Sequence, residues 1–361
     1  MWRKFLRVLG FLIGWGVILA YIIYASHLAQ EHRAEQRVTE VVITMTDSTE
    51  MQQFASSAQI RKQLRKGGFR MEKELVDSVD AVKISQYIAR NGFVSDAEVY
   101  TTYSGMVYIN IRQHKPIMRL LSGGYDSYVT AEGEIFRAPQ GGAYYAPVVT
   151  GEYIPLFNKN FNGSVTHDLA NRIERENIKL QELSNEVVKL NKSHSDYSAQ
   201  RASLYKKLKR KGFFESDEAY RMRRVGGKAE IAKYDEKIAQ IAGQKRKVER
   251  AQYAIELRKK KLQKKHDDFC NLINFVTYME SDSFWQAETV QFVADTTSMG
   301  DITLRIVPRS GDFTIEFGTL ADGKSKLDKL EKFYEDGLSR IGWDRYSIVD
   351  IRYNKQVICT E

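Results

Sequence analysis

The side chains of this 361-residue sequence best suited to bind a metal or to act as base or nucleophile are His27, His32, His114, His167, His194, His266, Cys270 and Cys359. A zinc site needs three or four such ligands at short, repeated spacings, and a dithiol redox centre needs Cys-x-x-Cys. Neither pattern occurs. His167-Asp168 sets a base beside a carboxylate but has no third partner, and it reads as the start of a helix. A Walker loop, a dinucleotide fingerprint and a Gly-x-Ser-x-Gly elbow are absent from the sequence. No catalytic residue, metal ligand or cofactor is therefore assigned, and the expectation is a protein that is not an enzyme. Two cysteines are too few for a disulfide-stapled scaffold; a single Cys270–Cys359 bridge stays open beside two separate thiols, the reading we favour.

Hydropathy places the rest. The run Val8–Ala25, VLGFLIGWGVILAYIIYA, is uncharged, and the next charged residue is Glu31. At about 1.5 Å per residue it spans a ~30 Å hydrocarbon core as one helix. Trp2, Phe5, Tyr21 and Tyr24 stand at its margins, and Arg3, Lys4 and Arg7 precede it, so the tail 1–7 is expected in the cytoplasm and the bulk on the other side. A cleaved signal peptide competes with this reading. Its cleavage requires small residues, but the positions two before Ala25, Ser26 and Ala29 hold Ile23, Tyr24 and His27. The expectation is an uncleaved transmembrane helix over 8–28.

The net charge of +9 is local: Val165–His266 carries 27 Lys and Arg against 14 Asp and Glu, and the remainder has a small acidic excess. In that segment Ile173, Leu180 and Val187 recur every seven residues, interleaved with Leu183, Leu190, Tyr197 and Leu204. The repeat resumes with Tyr234, Ile241, Val248, Ile255, Leu262 and Phe269. Two antiparallel coiled-coil helices of about 40 residues each follow, with Gly212 and Gly226-Gly227 bracketing the tip. Its basic exterior is a solvated surface or a contact for anionic lipid head groups or acidic envelope polymers. Nucleic acid is not expected, because the anchor puts the segment outside and its basic runs lack aromatic stacking platforms.

On either side of the hairpin the periodicity is that of small mixed domains. Val38–Met45 reads as a strand; a helix follows Ser56-Ser57, with Ile60 and Leu64 on one face and Gly67-Gly68 as its stop. A second helix starts at Asp80, and Ala97–Tyr103 and Val107–Ile111 alternate around Ser104-Gly105 as a hairpin. Short strands follow from Ile117 to Phe136. After the coil, Asp301–Val307 and Phe313–Phe317 form a hairpin, Leu327, Leu330, Tyr334 and Leu338 line a helix ending near Gly342, and Ser347–Tyr353 with Gln356–Cys359 makes the last strand.

The order strand-helix-helix-strand-strand behind one anchor resembles a POTRA domain. Gly92–Val99, Tyr108–Ile111, Lys115-Pro116, Thr130–Phe136 and Pro147–Gly151 are similar to stretches of the FtsQ/DivIB cell-division family, although Gln113-His114 replaces an acidic-basic pair. The ending Val349-Asp350-Ile351-Arg352-Tyr353, after the Gly318 turn and the Lys326-Leu327 helix, resembles the strand that closes the family's β-domain. The resemblance covers 1–157 and 270–361 and implies an α+β chain: a POTRA-like module over 29–116 and an antiparallel β-domain, 117–159 and 269–361; it leaves 160–268 unexplained, and the heptads make that segment a coiled-coil hairpin inserted into the β-domain. The resemblance also implies an inner-membrane, single-pass division scaffold with a periplasmic bulk, binding FtsB/DivIC-like and FtsL-like membrane proteins and other divisome components. Strand addition at a sheet edge is the physical mechanism expected, with Val349, Asp350, Ile351, Arg352, Tyr353 and Val357 as expected contacts and Ile351 and Tyr353 on one face; closure of the β-domain core stays open beside contact, above all for Ile351. Asp350 and Arg352 read as surface ladder residues, not a catalytic pair. The competing class is a periplasmic adaptor of an efflux or secretion pump, which also carries a coiled-coil hairpin but has lipoyl half-motifs that this sequence lacks.

Overall fold

The computed structural model describes residues 13–27, 36–46, 54–139, 144–343 and 345–361. Residues 13–27 are helical and exposed. Among the described residues no helix is long and apolar enough to cross a membrane; the tail 1–7 and the flanks of the expected span, 8–12 and 28, lie outside the described residues. The chain forms two compact units: residues up to Ile154 with Asn158–Gly163 and Leu272–Glu361, and Pro155–Phe157 with Ser164–Asn271.

In the first unit, β1 (Glu40–Thr46), α1 (Ser57–Lys66), α2 (Ala81–Ala89), β2 (Val94–Thr101) and β3 (Met106–Gln113) follow the expected order. β3 lies between β1, to which it is parallel, and β2, to which it is antiparallel. The caps explain the bounds. The Ser56 side chain accepts from the Gln59 N–H while the Ser56 N–H donates to Gln59 Oε1, a reciprocal box. The Asp80 carboxylate takes the Lys83 N–H at 3.0 Å and starts α2. Ile60 and Leu64, Ile84 and Ile88, and the alternating Val107, Ile109 and Ile111 then fill one core.

That core continues into the second sheet through Tyr128 and Phe136. Phe54 sits among them, edge-on to Tyr128 and Phe136 at 5.0 and 5.2 Å and stacked on Tyr144 at 5.4 Å. The buried Gln113 accepts the Phe54 N–H at 2.8 Å, which gives a structural use to the residue that departs from the family's pattern.

β4 (Pro116–Leu120), β5 (Ser127–Thr130), β6 (Glu134–Arg137), β7 (Val148–Thr150), β8 (Gly163–Ser164), β9 (Thr289–Thr296), β10 (Ile302–Pro308), β11 (Thr314–Thr319), β12 (Ile348–Asp350) and β13 (Ile358–Thr360) build a ten-stranded sheet. Its order is β13-β12-β11-β10-β9-β7-β4-β5-β6-β8. The expected antiparallel sheet is corrected to a mixed one, because β4–β7, β7–β9 and β11–β12 are parallel. Parallel neighbours need a crossover, and each pair has one. For β7–β9 it contains α3 (Val165–Lys209) and α4 (Asp217–Ser281), with α5 (Ser283–Glu288) after them; for β11–β12 it contains α6 (Gly323–Phe333), continued by a wider turn at Tyr334–Leu338. Leu327, Leu330, Tyr334 and Leu338 are the buried face of this last helix, as their spacing requires.

In the second unit the two helices run antiparallel, Thr166 opposite His266, Glu176 opposite Arg258, and Tyr197 opposite Tyr234. The heptad residues are buried or half-buried along the seam. The tip is corrected to 210–216: Gly226 and Gly227 lie inside α4. The reason is packing, since Leu208 of α3 presses onto Gly227, where any side chain would collide with it.

Candidate protein-interaction site

β13 is the last strand of the large sheet. It pairs with β12 through Ile348↔Thr360, Val349↔Cys359 and Asp350↔Ile358. β12 is held on its other side by β11, so an incoming strand has β13, not β12, to pair with. A groove of about 690 Å³ runs between α6 and the turn that joins β12 to β13. Lys326, Lys329 and Lys332, spaced by three along α6, face Arg352, Tyr353 and Lys355 across it, and Asp322 and Asp328 also line it, leaving five cations against two acids.

The turn is built by its own polar groups. Arg352 donates to both Asp350 oxygens, Nε at 2.9 Å and Nη2 at 2.6 Å, and its N–H reaches Asp350 Oδ1 at 3.0 Å. Lys329 Nζ donates to the Ile351 carbonyl at 2.7 Å and to that of Tyr353. The Arg352 guanidinium holds the Asp350 carboxyl below its ordinary 3.8, and burial lowers the pKa values of Lys326 and Lys329. Gly318, at φ +75°, makes room for the Arg352 stem, whose Cγ lies 2.8 Å from where a Cβ would stand.

Of the residues expected to meet a partner, Val349 and Ile351 are fully buried and Asp350 is nearly so. The expectation that Ile351 and Tyr353 share one face is corrected, and the burial of Ile351 fits the core-closing alternative for that residue: β12 stops at Asp350, whose side chain bonds the Arg352 N–H and turns the chain, so alternation does not carry through to Tyr353. Arg352 and Val357 are accessible, and Tyr353 is 47% exposed on the groove. The groove lysines and the exposed Ile358 were missed. The i, i+3, i+6 spacing of the lysines was visible in the sequence, but it is also that of an ordinary helix surface.

Asp350→Asn is expected to lower stability by about 1–2 kcal/mol near neutral pH. Because the folded pKa is depressed, the contribution is present above 3.8 and is lost as pH falls through the folded value. Urea unfolding of both proteins over a pH series from 7 downward through the acid range checks this, and a difference that failed to shrink as the pH fell below 3.8 would contradict it.

Elsewhere the contact set closest to chemistry is His266, with Nε2 3.5 Å from Cys270 Sγ and 3.3 Å from Thr166 Oγ1, and Nδ1 3.3 Å from Asp267. An activated cysteine has a depressed pKa, whereas burial pushes the Cys270 thiol up. The arrangement therefore favours the thiol. Both cysteines are free, and the described residues contain no cluster of three or more His, Cys, Asp or Glu able to hold a metal.

Residues 36–112, the three-stranded module, match the family model for the POTRA-like domain. Residues 231–360, which include the groove and both terminal strands, match the model described as FtsQ/DivIB, C-terminal related. Together they support an FtsQ/DivIB-like family. The second match begins within α4, so the returning helix of the hairpin, which the sequence resemblance left unexplained, falls partly inside the FtsQ/DivIB-related region. No curated protein matches the chain.

Proposed function

We propose that this FtsQ/DivIB-like chain is a non-enzymatic cell-division scaffold. FtsQ/DivIB-like domains suggest that role, and proteins of this kind are typically associated with the inner membrane. On this reading residues 8–28 anchor the chain and the remainder is periplasmic, divided into the POTRA-like module, the β-domain and the hairpin. The partners are FtsB/DivIC-like and FtsL-like membrane proteins, and the scaffold positions or regulates septal peptidoglycan synthesis with them.

One observation carries the mechanism: β13 ends the sheet, and the turn that leads into it lines a lysine-rich groove with Tyr353 on its rim. A partner strand pairs its backbone with β13 and meets Ile358 and Val357 with its side chains, while acidic residues flanking that strand meet Arg352 and the lysines of α6. Tyr353 supplies an amphipathic ring at the groove's rim, the type of residue that dominates such interfaces.

Affinity purification from gently solubilised membranes tests this with three proteins: the full chain, one lacking 165–266, and Tyr353→Ala. FtsB- or FtsL-like proteins are expected with the first two, and affinity is expected to fall about tenfold or more with the third. Recovery of a transporter and an outer-membrane channel, abolished by the hairpin deletion, would overturn the scaffold in favour of the pump adaptor.

A further inference from the structure

Residues 210–216 close the turn between α3 and α4, and Phe213 and Phe214 stand at its apex. At 95% and 97% exposure they are the most exposed large apolar side chains among the described residues. Their rings meet edge to face, 5.1 Å apart. Exposed apolar groups of this size are usually a liability in water, so the turn that holds them outward is informative.

That turn is clamped. Arg223 Nε donates to Glu215 at 2.6 Å, and the same guanidinium reaches the Lys207 and Arg210 carbonyls at 2.6 and 3.1 Å. Glu215 also accepts the Gly212 N–H at 2.9 Å. The Tyr220 hydroxyl donates to the Leu208 carbonyl at 3.3 Å, which ties α4 to the end of α3. With Arg223 beside it the Glu215 carboxyl is held down to about 2, so the clamp stays ionised at any ordinary pH. The two rings are thus presented by a fixed loop.

Around them lies a cationic collar. Residues 205–228 contain nine Lys and Arg against three acids, and two of those acids, Glu215 and Asp217, are already paired with Arg223 and Lys211. Lys206, Lys209, Arg210, Arg221 and Arg224 lie within about two helical turns of the apex. The occupant must therefore offer an apolar phase for the rings and, around it, negative charge for the collar. A bilayer leaflet containing anionic lipid has both, separated by the depth of its head-group layer. An acidic polymer supplies the charge alone.

We propose that the hairpin tip is a membrane-docking device, with Phe213 and Phe214 inserting into the interface of an anionic leaflet while the collar pairs with its head groups. This does not depend on the β13 reading, because different residues of the other compact unit carry it.

The test uses the full chain in nanodiscs of phosphatidylcholine, floated with separate vesicles of phosphatidylcholine alone or with about 30% phosphatidylglycerol. The chain is expected to float with the anionic vesicles. Phe213→Ser with Phe214→Ser should lower that partition roughly tenfold, with helical circular dichroism unchanged because both rings are exposed. Replacing Lys206, Lys209 and Arg210 by Gln should remove the preference for anionic lipid. A double-serine chain that floats as well as the parent would reduce the contact to polyanion attraction and overturn insertion. A parent that binds neither vesicle would overturn the proposal, leaving a protein as the occupant to seek.

Discussion

Phe54→Ala is expected to lower stability by about 3–5 kcal/mol, the range for removing a fully enclosed phenyl ring. Phe54 is 2% exposed and touches aromatic rings from both sides of the junction: Phe93 at 6.0 Å from the POTRA-like module, Tyr128 and Phe136 from the larger sheet, and Tyr144 from the segment before β7. Its removal costs the transfer energy of the ring and leaves a cavity that rigid aromatic neighbours fill poorly. The ring also belongs to the core that joins the two sheets, so the loss should appear as a change in cooperativity as well as in midpoint. Calorimetry should show the POTRA-like module and the larger sheet melting together in the parent and separately in the variant, with the POTRA-like module first. Phe54→Leu should recover about half of the loss. A deficit below about 1 kcal/mol would mean that the surrounding rings repack and that Gln113, through its bond to the Phe54 N–H, is the more important tie.

What the sequence discloses about this chain is what short-range chemistry specifies. Ser56 with Gln59, and Asp80 before Val82 and Ile84, announce helix starts because a capping side chain acts within one turn. The β10–β11 hairpin and the coiled-coil heptads are equally local, and they fold as their patterns require. The parallel pairing of β7 with β9 is not local: Val148 meets Gln291 across the whole hairpin, and nothing in either short strand names its neighbour. Gly226-Gly227 looks like a turn until Leu208 is seen against it, because a glycine needed for close approach reads the same as one needed for a bend. At the candidate site the alternation holds for Val349 and Ile351, both buried, and fails at Tyr353. Asp350 ends the strand with a side-chain bond that periodicity does not register, and the consequence is a buried Ile351 beside an exposed Tyr353.

The seam between β7 and β9 is where a single methyl group should do the most damage. Gly151→Ala is expected to cost about 3 kcal/mol or more, lowering the melting temperature by roughly 6–12 °C for a unit of this size. Gly151 has φ +100°, where a side chain is strained, and its Cβ would run into the Ala294 carbonyl oxygen and stand 2.9 Å from Asp295 Oδ1. Neither obstacle can swing away. The Ala294 oxygen also accepts the Tyr153 N–H at 3.0 Å, Asp295 Oδ1 accepts the Glu152 N–H at 2.8 Å, and the single Ser122 hydroxyl proton is shared between the Gly151 and Tyr153 carbonyls, each 2.7 Å from Oγ. Moving one strand to admit the methyl therefore breaks several bonds that hold the residues before the hairpin to those after it. Gly68→Ala separates the two contributions, since Gly68 has φ +88° but open space where its Cβ would stand. It should lose only the left-handed conformational strain, about 1–2 kcal/mol. If thermal unfolding showed equal losses at the two positions, the collision with β9 would contribute nothing and the seam would be more yielding than its hydrogen bonds imply. A much larger loss at Gly151 would mean that the sheet carrying β13 and its groove depends on tight backbone approach between β7 and β9.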